Sequence, residues 1–320
     1  MGKLYEKVLE NMKFEITFVC DKISFNTNQK FYSNYVQALD CETIDGLVIA
    51  THGPSHYEIV DYAITKKVKF IACEKPFTTS ATSADQLTSK SKNSETRLTV
   101  NYSRRFSKAY DKLHNILYLE KIVGLPKAIC IFCGAGGIST MGTHFFDLCY
   151  YLLDEKPKSV YAVSVDKNLP NPRGPQFRDP GGYVLLNFEN EKRAFVDIGD
   201  DLGLQPMIEI ICEYGRIFVD ELNKTIEIRG RTQENQKKSK HLYGTENIVL
   251  RKETFEFESL ENFIKTMLEN LVSTKPLIVT PEMASEKVRI YSAIRKSFDT
   301  HKPVTLPLND EYYEKEFPVT

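Results

Sequence analysis

Residues 3 to about 105 alternate between short apolar runs and longer segments in which apolar residues recur at helical spacing. The runs FEITFVCD (14–21), DGLVIAT (45–51), FIACEKP (70–76) and RLTVNY (97–102) have the length of buried strands. Between them, YEKVLENM, HYEIVDYAITKK and SADQLTSKSK are helix-compatible, and Pro54 with Ser55 supplies a helix entry. Strand and helix in alternation predict βαβ units, in which parallel strands form a sheet covered by helices.

After residue 105 the pattern changes. A helix at roughly 107–120, a strand at 126–133 and a helix carrying HFFDLCYYLL come first. SVYAVSV, GYVLLNF, KRAFVDI, MIEIICEYGRIFV and KTIEIRG then follow one another with short Gly or Asn turns, the pattern of an antiparallel meander. Helices at about 258–272 and 281–298 close the chain. The expected division is an α/β domain over 1–105 and an α+β domain over 106–320 with a large, mostly antiparallel open sheet. The stretch NLPNPRGPQFRDPGG (168–182) is too long for a simple turn and reads either as a substrate-side loop or as a plain surface loop.

Composition narrows the class. With 320 residues, 42% hydrophobic and 27% charged, the chain is of ordinary globular make-up. A formal net charge of -1 leaves no basic field to collect phosphate backbones, so nucleic acid is not an expected partner. No apolar run approaches the ~20 residues needed to cross a bilayer, and MGKLYEKVLENMKFE is charged where a signal peptide would be apolar. A cytoplasmic protein without a membrane partner is expected. The seven cysteines are scattered through strings such as ITFVC and KAICIFC, which read as buried reduced thiols. Cys130 and Cys133 form the one C-x-x-C, but residues three apart on a strand point to opposite faces, so no metal site is expected.

Two places carry candidate chemistry. Lys75 falls at the end of an apolar run, and ligands of open α/β sheets collect beyond the carboxyl ends of the strands. There an ammonium can hold a substrate hydroxyl and help carry its proton as hydride leaves the same carbon. A surface lysine at a strand end is the plainer alternative. His144 and Asp147, three apart in GTHFFDL, share one face of a helix, and imidazole suits proton transfer near neutral pH. A buried histidine bonded to Asp147 is the alternative there.

The order of the surrounding segments changes the balance. Asp21 at the end of the first run, IATHGPSH (49–56), Glu74-Lys75-Pro76, NYSRRF (101–106), GGISTMGTHFFD (136–147) and EYGRIFV follow one another at consistent distances. In this the chain resembles the glucose-fructose oxidoreductase / myo-inositol dehydrogenase family along almost its whole length. The resemblance implies an α/β fold with a Rossmann-like parallel sheet, its first strand apparently missing, followed by an α+β domain on an open sheet. It implies an NAD(P)-dependent oxidoreductase that moves hydride between the nicotinamide and a carbinol or carbonyl carbon of a sugar, sugar nucleotide or cyclitol.

The same resemblance distributes roles. Lys75 and His144 become the proton-handling pair, with His144 as the acid/base opposite the nicotinamide. Gly2, Asp21, Thr51, His56, Glu74, Lys75 and Asn101 fall to the cofactor, and Tyr102, Arg105, Thr140 and Asp147 to the substrate. An acid such as Asp21 can accept both ribose hydroxyls, which favours NAD, while Lys22 beside it keeps NADP open. His52 stands where relatives carry proline, and for both His52 and His56 loop and helix-start polarity is an equal reading. Arg105 suits an anionic or polyhydroxyl substrate, or equally a structural salt bridge. Many relatives carry an aspartate four residues before the histidine; Thr140 stands there, able to hydrogen-bond but not to supply charge. Self-association through the outer face of the C-terminal sheet is expected, giving a homo-oligomer.

A dinucleotide-binding unit opens with a strand and a G-x-G-x-x-G turn, and the helix that follows receives the pyrophosphate at its N-terminus. Met1-Gly2-Lys3-Leu4-Tyr5 looks like the end of such a fingerprint, with Gly2 its last glycine. In the strand order 3-2-1-4-5-6 the first strand is central, so strands two and four are expected to lack a neighbour and the chain from Met1 to be unstable or cofactor-poor. A shortened reading frame and a decayed, non-catalytic relative acting as a ligand-binding or regulatory protein both fit that pattern, and the DNA upstream of Met1 separates them.

Overall fold

The computed structural model describes residues 1–134, 136–165, 174, 177–203 and 205–317, so most of the 168–182 stretch lies outside the described residues. Two compact units emerge. The first combines Met1–Phe106 with Ser259–Val288 and the chain from Glu314 onward; the second combines Ser107–Glu258 with Arg289–Tyr313. A single cut at 105/106 therefore does not follow the packing, because the helix at 260–272 is grouped with the N-terminal strands.

In the first unit the elements run α1 (Gly2–Asn11), β1 (Phe18–Cys20), β2 (Lys30–Tyr32), α2 (Tyr35–Cys41), β3 (Gly46–Ile49), α3 (His56–Thr65), β4 (Phe70–Cys73), α4 (Ala81–Lys92) and β5 (Arg97–Val100). All strand pairs are parallel, as the alternation predicts, but they stand in two sheets, β1-β2 and β3-β4-β5. Among the described residues β1 pairs only with β2, and β3 only with β4. This is the place where the sequence anticipates strands short of a neighbour. Burial follows the pairing: β4 and β5 are buried from their second residue, whereas all of β1 is half-buried. Sequence patterning misses β2 and α2. Three residues are too few to read as a strand, and α2 announces itself only through Asn34, whose side chain caps the amides of Val36 and Gln37.

The second unit is built on one nine-stranded sheet. Its elements are α5 (Lys108–Asn115), β6 (Pro126–Phe132), α6 (Thr143–Leu153), β7 (Pro157–Ser164), β8 (Gly182–Phe188), β9 (Arg193–Ile198), β10 (Met207–Cys212), β11 (Gly215–Asp220), β12 (Thr225–Gly230), α7 (Gln233–Gln236) and β13 (Ile248–Thr254). After α8 (Leu260–Val272) of the first unit come α9 (Pro281–Thr300), β14 (Val304–Thr305) and α10 (Glu311–Glu314). The strand order is β13-β12-β11-β10-β6-β9-β8-β7-β14. The meander expectation holds for β7-β8-β9 and for β10 to β13, but β6 inserts between the two halves and runs parallel to β9. MIEIICEYGRIFV is two strands, folded at Glu213-Tyr214. One face of the sheet is core: Val184, Leu186, Ala194, Val196, Ile129, Ile131, Ile208 and Ile210 are buried, while the residues between them alternate outward.

Candidate functional site

In the first unit the site residues gather at the carboxyl ends of β3, β4 and β5. The ladder continues one residue past the strands, with the Glu74 amide donating to Ile49 O (2.9 Å) and the Asn101 amide to Cys73 O (2.9 Å). Glu74 and Asn101 are thereby set side by side on rigid elements. The Tyr5 hydroxyl from α1 donates to Glu74 Oε1 (2.8 Å), and Asn101 Nδ2 donates to Glu74 Oε1 (2.9 Å) and to Tyr5 Oη (3.0 Å). This closed triangle is buried, and burial together with the Glu74 charge pushes the Tyr5 phenol well above its ordinary value. Lys75, the next residue, is half-buried at the end of the central strand β4.

Each sequence-assigned residue has a definite place here. Asp21 is exposed just past β1, with Oδ1 accepting the Ile23 amide (2.9 Å). Gly2 is exposed in the first turn of α1, and a methyl group on it would meet nothing within 4 Å. Thr51 is exposed, its hydroxyl accepting from Ser55 (2.8 Å). His56, assigned to the cofactor by the sequence reading, lies inside the fold. It is fully buried, with Nδ1 2.7 Å from Pro76 O and Nε2 3.1 Å from Thr51 O, so it clamps the β3 and β4 loops together from inside. Burial lowers its pKa despite the two carbonyls. Glu74 likewise faces inward, onto Tyr5 and Asn101. Tyr102 and Arg105, assigned to the substrate by the sequence reading, are 1% and 8% exposed; Arg104, in the same turn, is half-buried. Asn101 Oδ1 is buried and accepts from no group among the described residues.

In the second unit His144 sits on α6, which continues from a π-helical turn at Gly137–Gly142. His144 and Thr140 are half-buried, while Asp147 is buried. The start of this helix is held by Asp179, whose Oδ1 and Oδ2 accept the amides of Ser139 and Thr140, both at 2.7 Å. The Ile138 amide donates to Pro180 O (3.0 Å). Gly137 has φ +71°, and a side chain there would lie 2.2 Å from Asp179 Oδ2, so both backbone and space require glycine.

Tyr5 and Asp179 are the residues that sequence reasoning misses. Their partners lie 69 and about 40 positions away, and no local spacing marks either pair. Only the family-like Gly2 three residues before Tyr5 hints that this helical turn faces the site.

Comparison with known proteins converges on one family. A family profile described as "Oxidoreductase family, NAD-binding Rossmann fold" matches residues 6–102, and one described as "Oxidoreductase family, C-terminal alpha/beta domain" matches residues 134–306. An inositol 2-dehydrogenase of Rhodococcus erythropolis is 27% identical over 199 residues, 57% of this chain and 55% of the relative. The chain thus spans little more than half the length of the curated relatives it matches. Among solved structures, an oxidoreductase from Agrobacterium radiobacter in complex with NAD+, L-tartaric acid and magnesium superposes with TM-score 0.76 at 15% identity, covering 95% of each chain. UDP-N-acetylglucosamine 3-dehydrogenase from Acidithiobacillus ferrooxidans gives TM-score 0.74 at 15% identity, covering 93% of this chain and 94% of that one. At such identity the two structures speak for the fold alone.

Proposed function

The chain belongs to this oxidoreductase family, with its NAD-binding Rossmann fold and C-terminal α/β domain, and from that premise we propose that it transfers hydride between NAD and a carbinol or carbonyl carbon of a sugar, sugar nucleotide or cyclitol. The observation that carries the reading is Lys75, half-buried at the carboxyl end of the central parallel strand and preceded by an anchored Glu74. When bound, NAD supplies the carbon that accepts the hydride.

The chain's own residues take the remaining tasks. Asp21 accepts the ribose hydroxyls, for which its exposed carboxylate fits, and the open space at Gly2 admits a phosphate against the α1 amides. Asn101 Oδ1, buried without a donor, fits an amide or hydroxyl of the cofactor. Lys75 holds the substrate hydroxyl, and His144 receives its proton. His56 and Glu74 act indirectly, by fixing the loops that carry Thr51 and Lys75. Lys75→Met and His144→Ala each lower turnover about tenfold or more with an unchanged melting curve, in an NADH-production screen over sugars and sugar nucleotides. Unchanged rates in both variants exclude the assignment.

A second copy of the chain is the proposed partner. The outward face of β6, β8, β9 and β10 presents Phe132, Leu185, Phe195, Tyr183 and Met207, with Phe132 packed 5.5 Å from Phe195 between ring centres. A second functional reading, a non-catalytic ligand-binding or regulatory protein, is favoured by the division of the parallel strands into two sheets. Titration with NADH followed by fluorescence separates the two: tight binding argues against the second.

A further inference from the structure

We propose that Asp179 is the positioning residue for His144, supplying from a separate segment the negative charge that Thr140 does not carry. The inference rests on the proton-handling role assigned to His144, but its geometry stands independently. Asp179 grips the amides of Ser139 and Thr140, both at 2.7 Å. Thr140 lies one helical turn before His144, and helical side chains lean toward the N-terminus, so the imidazole inclines toward the turn that Asp179 holds. The helix N-terminus, with its unpaired amides, is by itself a positive environment that disfavours an imidazolium. A carboxylate seated on two of those amides cancels that field and replaces it with a full negative charge.

The site is built for that carboxylate. Gly137 at φ +71° leaves room where any side chain would strike Asp179 Oδ2, and Pro180 O takes the Ile138 amide beside it. Gly142 lets the same turn close on Ile198 of β9, where a methyl group would come within 3.2 Å. The ionisable groups on the elements packed here are Asp197 on β9 with Asp200 and Asp201 just past it, since β9 packs against this turn and α6, Asp147 on α6 itself, Arg178 next to Asp179 in the chain, and, on α9, Tyr291 with its partner Arg295. Arg295 Nη1 donates to the Tyr291 hydroxyl (3.2 Å), whose phenol is held up first by burial and then by the Asp179 charge. Asp179 alone among the acids in that group holds the backbone of the His144 helix through both carboxylate oxygens.

The measurement is a pH titration of the His144 ring by NMR, with the resonance identified among the six histidines by its loss in His144→Gln. Asp179→Asn keeps the size and one acceptor but removes the charge. Its His144 midpoint falls by about half a pH unit or more, because the imidazolium loses a favourable partner. Adding Thr140→Asp to that variant restores the midpoint. In the unaltered chain, raising salt lowers the midpoint by screening the same attraction, a readout taken without altering Asp179. An Asp179→Asn midpoint equal to that of the unaltered chain, or a midpoint insensitive to salt, overturns the proposal. None of these readings requires substrate, so failure of the hydride-transfer assay leaves the assignment standing, and its own failure leaves that assay untouched. Where turnover is measurable, the pH profile of kcat/KM moves with the NMR midpoint in Asp179→Asn and is rescued by Thr140→Asp.

Discussion

The parallel strands of the first unit stand in two pieces, whereas the nine strands of the second form one sheet. In the second unit most neighbours in the sheet are neighbours in the chain, and β8-β9, β10-β11 and β11-β12 close over short turns that carry their own register. In the first unit every pair is parallel, and each needs a crossover of a helix or a long loop before two strands meet. Continuity of such a sheet depends on non-local contacts. Among the described residues β1 and β3 share no neighbour and the sheet divides, while the buried Tyr5–Glu74–Asn101 network ties α1 to the ends of β4 and β5.

Three measurements sharpen or break this contrast. The largest effect is expected in the continuous sheet: Phe188→Ala removes a fully buried ring at the end of β8 and lowers unfolding free energy by about 3–5 kcal/mol in denaturant titration. Leu47→Ala, on half-buried β3, costs only about 1 kcal/mol. Equal losses would mean that the divided sheet is packed as firmly as the whole one. Next, Tyr5→Phe removes one of two donors to a buried carboxylate and costs about 1–3 kcal/mol by the same titration. A change below a few tenths would show that the network does not tether α1.

The smallest effect is a slope. His56 has a folded-state pKa lowered from 6.5 by burial, so the unfolded chain binds the proton more readily and acid favours unfolding. The stabilising contribution of the neutral ring is complete above pH 6.5 and is lost as pH falls from there toward the lowered folded-state value. Melting temperatures measured from pH 8 to 5 decline less steeply in His56→Gln than in the unaltered chain, and parallel curves would count against this.

Element types were legible where the pattern is local. GYVLLNF is β8 residue for residue, and α9 starts at the Pro281 that opens its apolar periodicity. The edge strand β13 escaped, since IVLRKET is largely exposed and charged and has little alternation to read. For the site, Lys75, Asp21 and His144 fall where strand ends and helix spacing put them. Tyr102, Arg105 and Asp147 do not reach outward, because spacing along a chain says which face a residue occupies and not what covers that face.

The amino-acid sequence by itself determined the succession of strands and helices, the family and the candidate proton-handling residues, since these follow from short-range periodicity and from the order of motifs. Only the tertiary structure decided that β6 lies between the halves of the meander, that His56 faces inward, that Tyr5 holds Glu74 in the first unit, and that Asp179 holds the start of the His144 helix in the second. Those outcomes depend on which distant groups satisfy one another's hydrogen bonds once buried, and that competition is settled among segments tens of residues apart.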